Sequence, residues 1–305
     1  MKLTILTILV LCTFQAFPQD TTHTEVLRKA DELINEYRFE HALLVMGETH
    51  DSLAIPLLRR KGFCYSKLGN HDYAITAYES IRSIDSLNRE ALYNLGQLYA
   101  NRDQHERSKD CFQKLIQLDS TNSYYYKQYA AVAMKSNDPV GAIGYYIQTV
   151  RLNPGDLEAH GHLSSILLEA EQYAYVDSML SQLLSTSDNN QLRLLLARAK
   201  LGEDQYQAVI DNIGRILETQ DTTAAHARLM GISYFMLDQY NKVIPCMEYL
   251  LAKGIKADWM FYYLGVSYQR TNEGDKAIEF LNLAVGESVS DHIRSYYMQL
   301  ATAYE

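Results

Sequence analysis

The chain has 305 residues, a formal net charge of −9 and 47% hydrophobic side chains, enough apolar content for one large or two ordinary domains. The acidic balance excludes a global basic field of the kind that draws a protein onto nucleic acid. With only 5 prolines and 15 glycines, the composition argues for long helices rather than many turns.

Met1 to Asp20 differ from everything that follows. Lys2 is a minimal positive start, Leu3 to Leu11 is apolar apart from two threonines, and Pro18-Gln19-Asp20 breaks the run. This pattern predicts a secretory signal peptide over residues 1–19, since the apolar stretch falls short of the ~20 residues that span a bilayer. Ala16 suits the last residue of such a leader, whereas Phe14 stands where a small residue is preferred. An uncleaved anchor or a buried helix is the plainer alternative. Lipid attachment at Cys12 is another, although Leu11 stands where a lipobox carries Gly, Ala or Ser. The expectation is a chain exported to the periplasm or another extracytoplasmic space. Cys64, Cys111 and Cys246 then remain, each inside an apolar helical pattern. An odd number so spaced suggests buried thiols acting as small hydrophobes, not a disulfide framework.

Everything after the leader follows a period of about 34 residues, clearest in 224–257 and 258–291, where Gly231 and Gly265, Tyr234 and Tyr268, and Val243 and Ala277 are each 34 apart. In chain order the units are 23–54, 55–88, 89–122, 123–156, 157–189, 190–223, 224–257 and 258–291, with a terminal helix at 292–305. The eighth position of each unit is small: Ala30, Gly62, Gly96, Ala130, Ser164, Ala197, Gly231, Gly265 and finally Ala301. Position 24 is large, as at Tyr78, Phe112, Tyr146, Met247 and Leu281. Position 11 is usually Tyr or Leu, with Lys200 as the break in the sixth unit.

Apolar sites at 4, 7, 8 and 11, and again at 20, 24, 27 and 28, have helical spacing. Turn residues such as Leu68-Gly69-Asn70 and Asn272-Glu273-Gly274 lie between the two sets. Each unit therefore predicts two antiparallel helices, A and B, joined by a short loop. Asp, Ser and Asn at unit ends are candidates to cap the next helix, and Pro154 cannot continue the last one. Glycine inside a helix costs ~1 kcal/mol relative to alanine, so the small eighth residue implies close approach of A to B with the large residue at 24 filling the groove. Pro245 is expected to bend or shift its helix.

These residues resemble the tetratricopeptide repeat (TPR) family, most closely at 142–154, where Ala142-Ile143-Gly144-Tyr145-Tyr146 leads to Asn153-Pro154. The resemblance covers about residues 23–305, with units 23–54, 157–189 and 190–223 degenerate. It implies an all-α, right-handed superhelical solenoid of about eight helix pairs plus a terminal helix. It also implies a non-enzymatic scaffold that binds a peptide or protein segment in its concave groove. An architectural cell-envelope component, acting through its convex face, its ends or self-association, is the alternative.

The groove of that family is lined from helix A at positions 2, 5, 9 and 12. Carried onto this register, those positions place Arg59, Phe63, Tyr93, Tyr124, Lys127, Arg198, Arg228, Trp259 and Tyr262 in the partner-binding surface. Arg, Tyr and Trp are the types that dominate binding hot spots. The competing reading is that aromatics at positions 2 and 5 pack against the next helix A. The carboxylate clamp of chaperone-binding members is not reproduced, because Phe63 and Gln97 stand where its first asparagine would be sought.

No HExxH, CxxC, P-loop or GxSxG pattern occurs. His160-Gly161-His162 sets two imidazoles at i and i+2, which diverge on a helix and give zinc no convergent ligands. No catalytic residue, metal or cofactor is expected, nor a nucleic-acid partner or small-molecule substrate; association with the envelope is. The acidic clusters Asp31-Glu32 and Glu169-Ala170-Glu171 look like solvated faces.

Overall fold

A computed structural model describes residues 19–47, 54–217, 222–287 and 293–304. The expected leader and Cys12 lie outside the described residues apart from Gln19. The described residues are an all-α helical repeat array that divides into two compact units, one ending at Asp138 and the other starting at Pro139. That boundary falls between the two helices of the fourth expected repeat.

The first unit holds α1 (Gln19–Asn35), α2 (Phe39–Met46), α3 (Ala54–Lys67), α4 (His71–Ile84), α5 (Arg89–Asn101), α6 (His105–Leu118) and α7 (Ser123–Lys135). The second holds α8 (Pro139–Leu152), α9 (Leu157–Glu169), α10 (Tyr173–Leu184), α11 (Asn190–Gly202) and α12 (Tyr206–Leu217). It continues through α13 (Ala224–Met236), α14 (Tyr240–Ala252), α15 (Asp258–Arg270), α16 (Gly274–Glu287) and α17 (Ile293–Tyr304). Within each unit, successive helices pack on one another as repeats do. Among the described residues no helix is long and apolar enough to cross a membrane.

Caps mark where the A helices start. The side chains of Asn88, Asn122, Asp156 and Asn189 each accept an N–H from the first turn of α5, α7, α9 and α11 at 3.0–3.1 Å. Thr223 and His226 close a reciprocal capping box on α13, in which the Thr223 hydroxyl accepts from His226 N–H and His226 Nδ1 accepts from Thr223 N–H.

The A–B turn repeats one geometry. Position 15 has positive φ in every repeat: Tyr37, Gly69, Asp103, Asn137, Glu171, Asp204, Asp238 and Asn272, at 56–74°. The next N–H then donates back to the position-11 carbonyl, as Gln104 does to Tyr99, Gln172 to Leu167 and Glu273 to Tyr268, at 2.8–2.9 Å. This is a Schellman-type stop, in which one left-handed residue satisfies carbonyls that the helix end would orphan. Five of the eight occupants are Asp or Asn, whose short side chains tolerate that region best after glycine.

The small-against-large packing is present in atomic detail. A Cβ added at Gly62 would meet the Tyr78 ring at 2.8 Å, one at Gly96 the Phe112 ring at 2.8 Å, and one at Gly265 Leu281 Cγ at 2.6 Å. At Gly231 it would strike Met247 Cε. Tyr78, Phe112, Met247 and Leu281 are essentially fully buried, each contributing roughly 1.5–3 kcal/mol of transfer free energy. Ser108, one of the small residues at position 20, donates its hydroxyl to the Gly96 carbonyl at 2.7 Å across the same interface.

Polar struts join one repeat to the next. Tyr99 and Tyr268, both at position 11, donate their hydroxyls to Glu79 and Glu248, 20 residues earlier on the preceding helix B. Lys200 replaces that tyrosine and instead pairs with Asp177 at 3.0 Å, with both side chains mostly buried. Its departure from the pattern is thus a substitution of one strut for another. Pro245 lies inside α14, which continues unbroken to Ala252. Cys64 and Cys111 are buried free thiols, whereas Cys246 is half-buried. Asp31 is not a merely solvated acid. Arg60 holds it through a two-bond fork at 2.6 Å, and this pairing keeps the carboxyl below its ordinary pKa range.

Candidate interaction surface

A 13-residue helix A that buries its positions 4, 7, 8 and 11, as α5 does with Leu92, Leu95, Gly96 and Tyr99, turns positions 2, 5 and 9 to the opposite side. Those positions then meet the same face of the next helix A.

In the first unit this face closes on itself. Arg59 donates to Glu90 at 3.3 Å, so position 5 of α3 reaches position 2 of α5. One repeat later Tyr93 and Tyr124 share a hydroxyl–hydroxyl hydrogen bond of 3.1 Å, with ring centroids 6.0 Å apart. Burial and the Tyr124 bond push the Tyr93 phenol up to about 12. Gln97 and Gln128 repeat the link further along. Lys127 sits 5.9 Å over the Tyr124 ring, and Phe63 packs edge-on against Phe39 with Lys67 over its face.

The second unit uses the same positions differently. Arg228 on α13 stands 5.4 Å over the ring of Trp259 on α15, again position 5 to position 2. No carboxylate pairs with Arg228 among the described residues. Phe235 stacks on Tyr263 at 4.0 Å, Trp259 meets Tyr263 edge-on, and Tyr262 stacks on Tyr296 at 4.7 Å. Phe235, Trp259, Tyr262 and Tyr263 are half-buried, and burial raises both the Tyr262 and the Tyr263 phenol. Beside them is a pocket of about 620 Å³ walled by α9, α10, α11 and α13, lined by Arg198 and Arg228 together with Leu168, Leu194, Leu229 and Ile232.

Models of the tetratricopeptide repeat match residues 58–85 and 89–122. The chain is a tetratricopeptide repeat protein. A tetratricopeptide repeat protein from Parabacteroides merdae ATCC 43184 is similar in structure at 13% identity, with TM-score 0.54, over 83% of this chain and 100% of that one. YrrB, described as a TPR protein with an unusual peptide-binding site, is similar at 18% identity and TM-score 0.51, over 63% of this chain and 97% of its own. PilF of Pseudomonas aeruginosa is similar at 14% identity and TM-score 0.51, over 68% and 96%. At such identities these likenesses speak to fold. No curated protein gives a match. TPR repeats are in general protein–protein interaction scaffolds and in general not enzymes.

Within each unit of this TPR fold the candidate residues have different surroundings. Arg59, Tyr93 and Tyr124 belong to self-closed links in the first unit, while Arg198, Arg228, Trp259 and Tyr262 gather in the second. Sequence reasoning missed the pocket walls. The signal was available: Arg198 at position 9 and Arg228 at position 5 of the next repeat fall side by side once adjacent A helices pack. His160 is buried, its Nδ1–H donating to the Asp156 carbonyl at 2.9 Å, while His162 stacks on Tyr146. Their partners differ, as the i, i+2 spacing requires.

Proposed function

We propose that the chain is a non-enzymatic scaffold that takes an extended or helical segment of another protein on the helix-A face of its second unit, working outside the cytoplasm. The observation that supports this is the run of half-buried aromatics from Phe235 through Tyr263 and Trp259 to Tyr262, with Arg228 laid over the tryptophan. Such a surface combines the residue types and the partial desolvation found at hot spots. YrrB, with a related fold, is described as having a peptide-binding site. The architectural alternative draws on the exposed Tyr297 and Met298 of α17.

Panning a random peptide-display library against the chain tests the proposal. Enrichment of a linear motif that Tyr262→Ser or Arg228→Gln no longer captures is the expected result. Peptides that bind both variants as well as the parent, or no enrichment, would overturn it. Light scattering in parallel decides the alternative, since concentration-dependent association would favour self-assembly. Because Trp259 and Tyr262 have ring partners, their truncation also lowers stability, so Arg228 is the cleaner probe.

A further inference from the structure

The pocket walled by α9, α10, α11 and α13 holds two arginines that no carboxylate answers among the described residues. The half-buried cations of the second unit, Lys200 and Arg193, pair with Asp177 and Asp188, whereas Arg198 and Arg228 are exposed. Arg198 and Arg228 have no hydrogen-bond or ion-pair partner among the described residues, yet both line one recess with apolar walls. In a chain of net −9, carboxylates are plentiful, so two guanidiniums left open in one pocket are a site for an anion brought from outside. Arg228 Cζ lies 5.4 Å over the Trp259 ring, a partner that brings no acceptor oxygen to the guanidinium N–H donors. Tyr173 closes one wall by packing on Gly202, where a Cβ would lie 2.5 Å from its ring.

We propose that Arg198 and Arg228 together bind a carboxylate of an acidic partner segment, and that the apolar wall takes the large side chain next to it in that segment. This rests on the scaffold reading above and names the chemistry of its partner. Guanidinium forks match carboxylates two bonds at a time, and a partly desolvated pocket strengthens each bond. A peptide side chain enters a recess of this size, whereas an anionic bilayer would present a flat surface to an acidic protein that repels it.

Fluorescence polarisation on the full chain with two labelled synthetic peptide pools tests this. Both pools carry Leu or Phe at a central site, flanked by Glu in one and by Gln in the other. The Glu pool is expected to bind about tenfold or more tightly. Arg198→Gln and Arg228→Gln should each cut that preference, and added salt should weaken it, while Arg215→Gln, an exposed site on α12, should leave it intact. All three replace exposed side chains, and unchanged thermal melts would confirm intact folding. Equal binding of the two pools, or a Glu preference that survives both arginine substitutions, overturns the carboxylate site. If equally bound pools are both lost with Tyr262→Ser, the scaffold reading stands while this site falls. Arginine-dependent binding of phosphatidylglycerol vesicles without a Glu preference would also overturn it, making the pocket a headgroup site. Failure of both pools together with an empty display screen removes the scaffold reading as well.

Discussion

In the unit ending at Asp138, position 5 of one helix A meets position 2 of the next through an Arg59–Glu90 ion pair and a Tyr93–Tyr124 hydrogen bond. In the unit starting at Pro139 the same two positions hold Arg228 and Trp259, and Arg228 keeps its hydrogen-bonding edge open. One register thus yields a link in the first case and an available cation in the second. The difference lies in the acceptor: Glu90 and Tyr124 can answer their partners with an oxygen, but Trp259 offers only a π face and a donor. A position that lines a pocket in one repeat is therefore a strut in another, and the residue at position 2 decides which.

The small eighth position is enforced with different rigidity from one repeat to another, and this predicts the largest effects. Gly96 faces the rigid, fully buried ring of Phe112 and Gly265 the branch carbon of Leu281, whereas Gly231 faces the flexible end of Met247 and, at 3.1 Å, Cys246 Cβ. Phe112→Ala should cost about 3–5 kcal/mol by opening a cavity, read as a fall in the urea midpoint by circular dichroism. Gly96→Ala alone should cost about 1–3 kcal/mol by overpacking. In the Phe112→Ala background it should change sign and stabilise, because the ring has gone and alanine is ~1 kcal/mol the better helix former. Gly231→Ala should cost less than Gly96→Ala, since the Met247 tip can move aside and only Cys246 Cβ, at 3.1 Å, has to give by a little. Equal costs at Gly96 and Gly231 would break this contrast between a rigid and a flexible packing partner.

The helix pairs were legible because apolar spacing of 3.6 recurs at a fixed 34, and the capping roles of Asn88, Asn122 and Asp156 follow from side-chain chemistry alone. The strut between Lys200 and Asp177 was not legible, because its partners lie 23 residues apart on different helices and either would pass for a surface charge. Nor was the division at Pro139, since Asn137-Asp138-Pro139 reads like any other A–B turn. For the candidate site, residue types were readable but partners were not. Arg59 and Arg228 occupy the same register position, and only packing reveals that one is satisfied and the other open.

Acid should act on the two units at different pH. In the second, burial lowers the pKa of His226, and its Nδ1 accepts the Thr223 N–H only when unprotonated. A depressed folded pKa means the unfolded chain binds the proton more readily. Stability from this group is therefore complete above the ordinary histidine value of ~6.5 and declines as pH falls below it. In the first unit, the Arg60 fork lowers the Asp31 pKa, so its contribution holds until pH falls below ~3.9. Urea midpoints followed by Trp259 fluorescence should drop between about pH 7 and 5, and His226→Gln should flatten that slope. Asp31→Asn should leave the slope unchanged and soften only the loss seen by circular dichroism below about pH 4. A His226→Gln protein with the parental slope would end this assignment.

The smallest expected effect tests whether the A–B turn is the same device in both units. Seven of its eight left-handed residues are not glycine, and among them Glu171 is exposed, at φ 56°, with a longer side chain than the Asp and Asn found at five of the others. A left-handed non-glycine residue costs roughly 1–2 kcal/mol, and Asp or Asn recovers part of this through local hydrogen bonding. Glycine removes the steric cost but adds freedom to the unfolded chain, so Glu171→Gly should stabilise by about 0.5–1 kcal/mol. Gly69→Ala, the reverse change in the first unit at φ 74° with open space around its Cα, should destabilise by about 1 kcal/mol for the same reason. Matched and opposite shifts in melting temperature would mean that backbone conformation alone sets this turn. A loss of stability in Glu171→Gly would instead mean that the Glu171 side chain supports the α9–α10 turn through contacts that a purely conformational account omits.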